Sequence, residues 1–450
     1  MVNSSVGRQA VPSFDYDLIV IGAGAGGIHA SHCAAALGKK VAVVESSTLG
    51  GASVNAGSVA NKLFHYASRY KVEFDQAKGL GWTFGELQFN WQRLLANKNA
   101  QIKRIDDLNR VRLARLGVDV IQGHGSFFDG HTLTVKNKTY SAERIIIATG
   151  ARPFVPEIPG REHLSTSNDV FLLPKLPGSV VVIGGGYIAV ELASTLAGFG
   201  VSTKIVHRRK TLLRRFDQGI QAEIESGLSA RGVEIKSPVT VDSVIQCADH
   251  RLQVTLSSGE LVLTDRVLCA TGRVANTRGL GLENTAAGLN RLGAIKVTRD
   301  CQTDEDSIYA IGDVIDRVQL APVAVAEASN LIAHLYQNKK IQLNYRYVAT
   351  SVLSQPGVAC VGLTESKARK LHKNIRVYES RFLASKHCLS GGDDRTFMKL
   401  VVDQASDKVI GIHMVGAEAG EIVQGMAVAM QIGITKAEMD EVMGLHSTVA

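Results

Sequence analysis

The sequence predicts an α/β protein with two doubly wound, parallel-sheet domains and a C-terminal α+β domain. Three observations predict it. Twice, at Asp17-Leu18-Ile19-Val20-Ile21 and at Val180-Val181-Val182-Ile183, a short apolar strand runs directly into a Gly-rich turn and a helix. Twice, an apolar strand ends in Ala-Thr-Gly, closing at Gly150 and at Gly272. From about Tyr345 the pattern changes to strands such as Val358-Ala359-Cys360-Val361-Gly362-Leu363 and Met398-Lys399-Leu400-Val401-Val402, followed by helices. A chain of 450 residues is too long for one core and fits about three domains.

Composition narrows the function classes. The net charge is +8, but acidic and basic residues mix along most of the chain, which points to a solvated basic surface and not to nucleic-acid binding. No apolar stretch is long enough to cross a membrane, and the polar start, residues 1–13, reads as a flexible arm and not a secretory signal. The expected compartment is the cytoplasm. Cys33, Cys247, Cys269, Cys301, Cys360 and Cys388 form no closely spaced pair and read as reduced core thiols, with no metal site.

In the first turn, Gly22-Ala23-Gly24-Ala25-Gly26-Gly27, each residue has a job. Gly22 allows a tight turn, Gly24 lets the backbone approach a pyrophosphate, and Gly27 lets helix and strand pack closely. Ala25 and Gly26 open the helix, whose free N–H groups attract the anion. The next strand, Val41-Ala42-Val43-Val44, ends in Glu45, an acceptor for a ribose 2′-OH. An ordinary βα turn with no ligand is the alternative; the acid at the strand end argues against it.

The second turn, Gly184-Gly185-Gly186-Tyr187-Ile188-Ala189, carries Ala189 at the third glycine position, which the fingerprint tolerates. Its next strand ends at Ile205-Val206 and is followed by His207, Arg208-Arg209-Lys210 and Arg214-Arg215. Cations there, Arg208, Lys210 and Arg214 above all, suit a 2′-phosphate dianion, so the reading is NADPH over NADH, with a basic surface loop as the alternative. Thr149, Gly150 and Gly272 close the two Ala-Thr-Gly segments. Asp313, just beyond Ile308-Tyr309-Ala310-Ile311-Gly312, is placed to hold the polyol or ribose of a flavin nucleotide.

Together with Ala321-Pro322-Val323-Ala324, Leu389-Ser390-Gly391 and Gly444-Leu445-His446-Ser447-Thr448, these features make the chain resemble the glutathione reductase branch of the pyridine nucleotide–disulfide oxidoreductases from about Phe14 onward. The resemblance implies FAD at the first Rossmann-like domain, NADPH at the second, and a homodimer formed through a C-terminal dimerisation domain. It implies a plan of 14–152 for FAD, 153–273 for NADPH, 274–344 returning to FAD and 345–450 for dimerisation. Further FAD contacts fall on Ala52, Lys62 and Gly125, and Tyr187 matches the residue that covers the flavin until nicotinamide arrives. Electrons in this family pass from NADPH to FAD, to an active-site disulfide, and on to a substrate disulfide.

The resemblance breaks at the relay. The family pattern GGTCVNxGCVPKK reads here Gly50-Gly51-Ala52-Ser53-Val54-Asn55-Ala56-Gly57-Ser58-Val59-Ala60-Asn61-Lys62, in frame, with serine at both cysteine positions. A serine hydroxyl stays protonated at neutral pH and cannot form S–S, so a relay through this pair is chemically impossible. Asn61 stands where the family has a lysine beside the flavin, and Glu191, that lysine's usual partner, is expected to lack its ion pair. The glutathione contacts that the resemblance implies are altered: His32 and Ser329 stand where the family has substrate-binding arginines, and Arg112 where it has a pocket tyrosine. His446 matches the family's acid/base histidine, but Ser447 follows in place of proline, and Ala450 precedes the orienting glutamate.

Three functions remain. The first is direct transfer from NADPH through FAD to a small-molecule acceptor, a quinone, small oxidant or oxygen. The second is a non-catalytic flavoprotein dimer serving as scaffold or regulator. The third is glutathione reduction by homology, through a thiol elsewhere such as Cys33 or Cys388.

Overall fold

A strand buried on both faces must be apolar at every position, and the opening strand Tyr16–Ile21 shows why. Leu18 and Val20 enter one core with Val41, Val43, Ile146 and Leu331. Ile19 and Ile21 enter another with Ala42, Val44, Ile145 and Ile147. The computed structural model describes residues 13–392, 394–446 and 448–449. The expected N-terminal arm, all but residue 13, lies outside the described residues, as do Ser447 and Ala450.

The chain divides into two compact units. The first takes in the described residues through Ser53, Lys103–Arg152 and Val274–Leu343. Its central sheet sets Tyr16–Ile21 between Val41–Glu45 and Lys138–Ile147, with Asp119–Gln122 and Ile308–Ala310 outside them, all parallel. The long strand Lys138–Ile147 serves twice. Its second half continues the parallel sheet, and its first half pairs antiparallel with Thr132–Val135, which in turn pairs with Gly125–Phe127. Helix Ala25–Ala36 approaches helix Ala321–Gln337 closely: a Cβ on Gly26 would lie 3.2 Å from the Ala324 Cβ.

The second unit takes in Val54–Ile102, Pro153–Arg273 and the described residues from Asn344 onward. A five-stranded parallel sheet runs in the order Glu234–Lys236, Ser202–Val206, Ser179–Ile183, Arg266–Cys269, Leu164–Thr166. An antiparallel sheet of Thr350–Val352, Val358–Gly362, Val409–Val415, Arg395–Asp403 and Ile375–Leu383 follows. Helix Ala419–Ile432 covers it, burying Val423 and Met430 against Val361 and Met414. Helix Ser58–Gly79 lies against helix Tyr187–Gly198, where a Cβ on Gly198 would sit 2.9 Å from the Ser68 Cβ. The α/β class with two nucleotide-type sheets and an antiparallel C-terminal domain is the one the sequence predicts.

All six cysteines are free thiols. Cys269 and Cys301 are core residues, but Cys388 is exposed, contrary to expectation. The short helix Ser385–Ser390 buries His387 and Ser390, which turns Cys388 outward. Among the described residues no helix is long and apolar enough to cross a membrane.

Candidate functional site

The two Gly-rich turns are built alike. Gly22 has φ +100°, and a Cβ there would lie 2.5 Å from the Ala148 oxygen. Gly184 has φ +137°, and a Cβ there would strike the Ala270 oxygen. Both collisions come from the Ala-Thr-Gly segments, which run past the turns. Those segments are locked in the same way. Thr149 donates to the Asn276 oxygen at 2.7 Å and the Asn276 N–H donates to Gly150. Thr271 donates to the Phe154 oxygen at 2.9 Å and the Phe154 N–H donates to Gly272. A Cβ on Gly27 would collide with the Gly22 oxygen, so close helix–strand packing demands glycine there, whereas Ala189 is fully buried in the second unit.

Both turns fit a pyrophosphate. A Cβ on Gly24 would meet only the Gly51 Cα at 3.9 Å, and one on Gly186 would meet nothing within 4 Å. Neither following helix, starting at Ala25 and at Tyr187, has a side-chain cap, so the orphan N–H groups at each start have room for an anion. The strand ends differ. Glu45 accepts the Ala23 and Ser47 N–H groups, each at 2.8 Å, which aims its carboxylate across the first turn. After Val206, His207 is 5 % exposed and burial pushes its pKa down, so it is neutral and packs beneath Gly185. Arg208, Arg209, Lys210, Arg214 and Arg215 are exposed and make no ion pair among the described residues.

Gly125 is buried beside Val44, Ala52 is exposed, and Asp313 is half-buried in the Gly312–Ile315 turn. Ile188 is half-buried, and Tyr187 begins its helix 37 % exposed. Lys62 is exposed, its ammonium 5.6 Å from the Tyr66 ring centre, at the rim of a cavity of about 320 Å³. Ser53 is half-buried in the short helix Gly51–Asn55, Ser58 is exposed at the start of helix Ser58–Gly79, and His446 is exposed.

Among the described residues Glu191 has no cationic partner, as expected, but it accepts two hydrogen bonds: Asn61 donates through Nδ2 to Oε2 at 2.9 Å, and the Leu353 N–H donates to Oε1 at 2.9 Å. Asn61 is 4 % exposed, and its Oδ1 is buried with no partner. Burial drives the Glu191 pKa up to about 7, the Leu353 hydrogen bond opposing. Sequence reading also missed three supporting residues. Gly51, at φ +61°, lies so near Gly24 that a Cβ would fall 2.6 Å from the Gly24 Cα. Asn276 latches the first Ala-Thr-Gly segment. Glu327, 1 % exposed, accepts the Gly312 N–H at 2.7 Å and so fixes the turn carrying Asp313. A lone acid in the otherwise small and apolar run Ala321–Ala328 was the available signal.

Comparison with known proteins agrees with this geometry. Residues 16–328 match the family model described as pyridine nucleotide-disulphide oxidoreductase, and residues 348–450 match that family's dimerisation domain. A glutathione reductase of Nostoc sp. is 39 % identical over 97 % of this chain and 98 % of its own length. That of Burkholderia cepacia is 39 % identical over 97 % of each chain. The chloroplastic/mitochondrial glutathione reductase of Pisum sativum is 38 % identical over 99 % of this chain and 83 % of its own. Two open glycine cradles with opposite charge at the following strand ends, and matches covering nearly the whole chain, lead to one conclusion: this chain belongs to the pyridine nucleotide-disulphide oxidoreductases, among the relatives of glutathione reductase, with FAD and NADPH as its cofactors.

Proposed function

We propose that this chain is an NADPH oxidoreductase that works without a protein disulfide and delivers its electrons directly to a small acceptor. The observation that carries this reading is serine at 53 and 58, in an uninterrupted frame where the family pattern has its two redox cysteines. Neither hydroxyl can form a sulfur–sulfur bond or a thiolate. The cofactors, when bound, supply two-electron transfer from nicotinamide to flavin. With a quinone as acceptor, NADPH and one proton give NADP⁺ and the hydroquinone.

The chain's own residues divide the remaining work. Gly22, Gly24, Ala25, Gly26 and Gly27 receive the FAD pyrophosphate, Glu45 its adenosine ribose, and Asp313 its polyol side. Ala52, Gly125, Thr149 and Gly150 complete that site. Gly184, Gly186, Ile188, Ala189 and Gly272 receive the NADPH pyrophosphate, and Arg208, Lys210 and Arg214 its 2′-phosphate. Tyr187, exposed at its helix start, moves aside for nicotinamide. Glu191 holds a proton at its carboxyl for part of the time near neutral pH, because burial disfavours its charge. His446 is the remaining acid candidate. A second copy pairs through the dimerisation domain, where Val428, Ile432, Val442, Met443 and Leu445 expose apolar side chains. The glutathione route through Cys33 is disfavoured, because burial raises its pKa and so disfavours a reactive thiolate.

An anaerobic titration with NADPH tests the reading. The flavin absorbance should bleach directly, with no long-wavelength thiolate–flavin band. A protein that stays fully yellow at excess NADPH refutes it. That outcome favours the second reading, a non-catalytic flavoprotein, for which the Asn61–Glu191 pair, an amide and a carboxyl with no cation, is the supporting observation.

A further inference from the structure

We propose that Lys399, in the antiparallel C-terminal sheet, is a specificity-positioning residue: through Asp217 it fixes the cationic loop 208–215 in the arrangement that recognises a 2′-phosphate. The inference rests on the reading of that loop as the NADPH 2′-phosphate site.

The loop is pinned at its centre. Leu212 and Leu213 are buried, the Leu213 N–H donates to the Gly185 oxygen at 2.8 Å, and the Leu212 N–H donates to Glu225 at 2.6 Å. Leu213 holds φ +49°, a left-handed conformation that costs a branched residue energy and persists only where neighbours impose it. The Phe216 N–H donates back to the Leu213 oxygen at 2.7 Å. Arg214 and Arg215 therefore sit on a single tight turn, between a buried leucine and Asp217.

Asp217 is the far pin. It is 2 % exposed, and its Oδ1 accepts the Gly219 N–H at 3.0 Å, capping helix Gln218–Ala230. The same oxygen takes the Lys399 ammonium at 2.9 Å, while Oδ2 accepts the Glu365 N–H at 2.9 Å. Lys399 is 3 % exposed and also meets Glu365 at 2.6 Å and Glu379 at 3.2 Å. It stands in a row across the sheet, Cys360, His413, Lys399 and Glu379 on neighbouring strands. Helix Gln218–Ala230 cannot drift from that sheet without opening a gap, because Gly219 is packed so tightly on Phe397 that a Cβ would overlap the ring.

The consequence is geometric. A 2′-phosphate is held by several cations at once, so its affinity depends on their mutual placement. Removing the Lys399 charge leaves Asp217 buried without its cation, while Glu365 keeps Arg369 at 2.6 Å and Glu379 keeps Arg381 at 2.9 Å. The easiest relief is for Asp217 to swing out, and Arg214 and Arg215 move with it. NAD⁺ has no 2′-phosphate and is indifferent to that movement.

The test is binding, so it needs no turnover. NADP⁺ and NAD⁺ affinities are measured on the full-length, FAD-loaded protein by isothermal titration, with NMR competition for the weaker NAD⁺. Lys399→Met is expected to weaken NADP⁺ about tenfold while NAD⁺ stays within about twofold. Lys399→Met combined with Asp217→Asn, which removes both buried charges and keeps an oxygen for the helix cap, is expected to recover most of the loss. If Lys399→Met does not fold, the double variant against Asp217→Asn alone decides, the single change weakening NADP⁺ more. Equal weakening of both nucleotides, or none, overturns the proposal. Arg214→Ala separates the two readings: if it leaves NADP⁺ binding unchanged, the loop is not the 2′-phosphate site and the underlying reading fails instead.

Discussion

Two buried carboxyls in the second unit show how far a partner's charge outweighs burial. Asp217 is 2 % exposed, yet the Lys399 ammonium and two backbone N–H groups, working against burial, hold its pKa below the ordinary carboxylate range. Glu191 faces an amide in place of an ammonium, and burial drives it up to about 7. The two hydrogen bonds that Glu191 accepts do not offset its burial, whereas an ammonium together with two backbone N–H groups more than offsets that of Asp217. An ion pair holds Asp217, whereas Glu191, packed beside the helix that opens with Ser58, has an amide in that place.

This contrast can be broken from either side. Lys399→Met should have the largest effect, a loss of about 3–5 kcal/mol in urea unfolding, since it strands the buried Asp217 carboxylate. Glu191→Gln should act on pH dependence. With its folded pKa above the ordinary 4.5, Glu191 binds more protons in the folded than the unfolded state between about 4.5 and 7. Stability from this group is therefore full below about pH 4.5 and is lost as pH rises through about 7, by about 3 kcal/mol. Unfolding curves at pH 5 and pH 8 should show that slope in the native chain and not in the glutamine variant. Asp217 works with the opposite sign, since its contribution is lost as pH falls through its depressed value.

Asn61→Lys sharpens the comparison by turning the second carboxyl into a copy of the first. The neutral-pH slope should vanish or reverse, and carbon NMR of labelled glutamate should find Glu191 ionised at pH 6. The smallest effect belongs to Asn61→Leu. It removes one hydrogen bond together with an already unpartnered Oδ1, costing about 1 kcal/mol and raising the Glu191 pKa further.

What could be read from the sequence was local. Gly22, Gly24 and Gly27 lie within six consecutive residues, and Glu45 follows one helix later, so strand, turn and charge could be read in order. The fold class followed from that order together with the change of pattern after Tyr345. The supports were not local. Glu327 meets Gly312 from a different element, and Lys399 meets Asp217 across 182 positions. Neither residue's type announces a partner, because a lysine in a strand is usually a solvated one. The Asn61–Glu191 pair was half legible. Its residues could be named, but the amide's direction and the carboxyl's burial depend on helix packing that no local pattern records. Cys388 was misread for a similar reason, since one exposed face of a six-residue helix leaves no periodic trace.

The relay's absence is the central claim, and turnover with oxidised glutathione tests it most directly. Pure protein, free of contaminating reductase, should oxidise NADPH with a quinone or oxygen but show no added rate when oxidised glutathione is supplied. Brisk glutathione-dependent oxidation of NADPH would contradict the account.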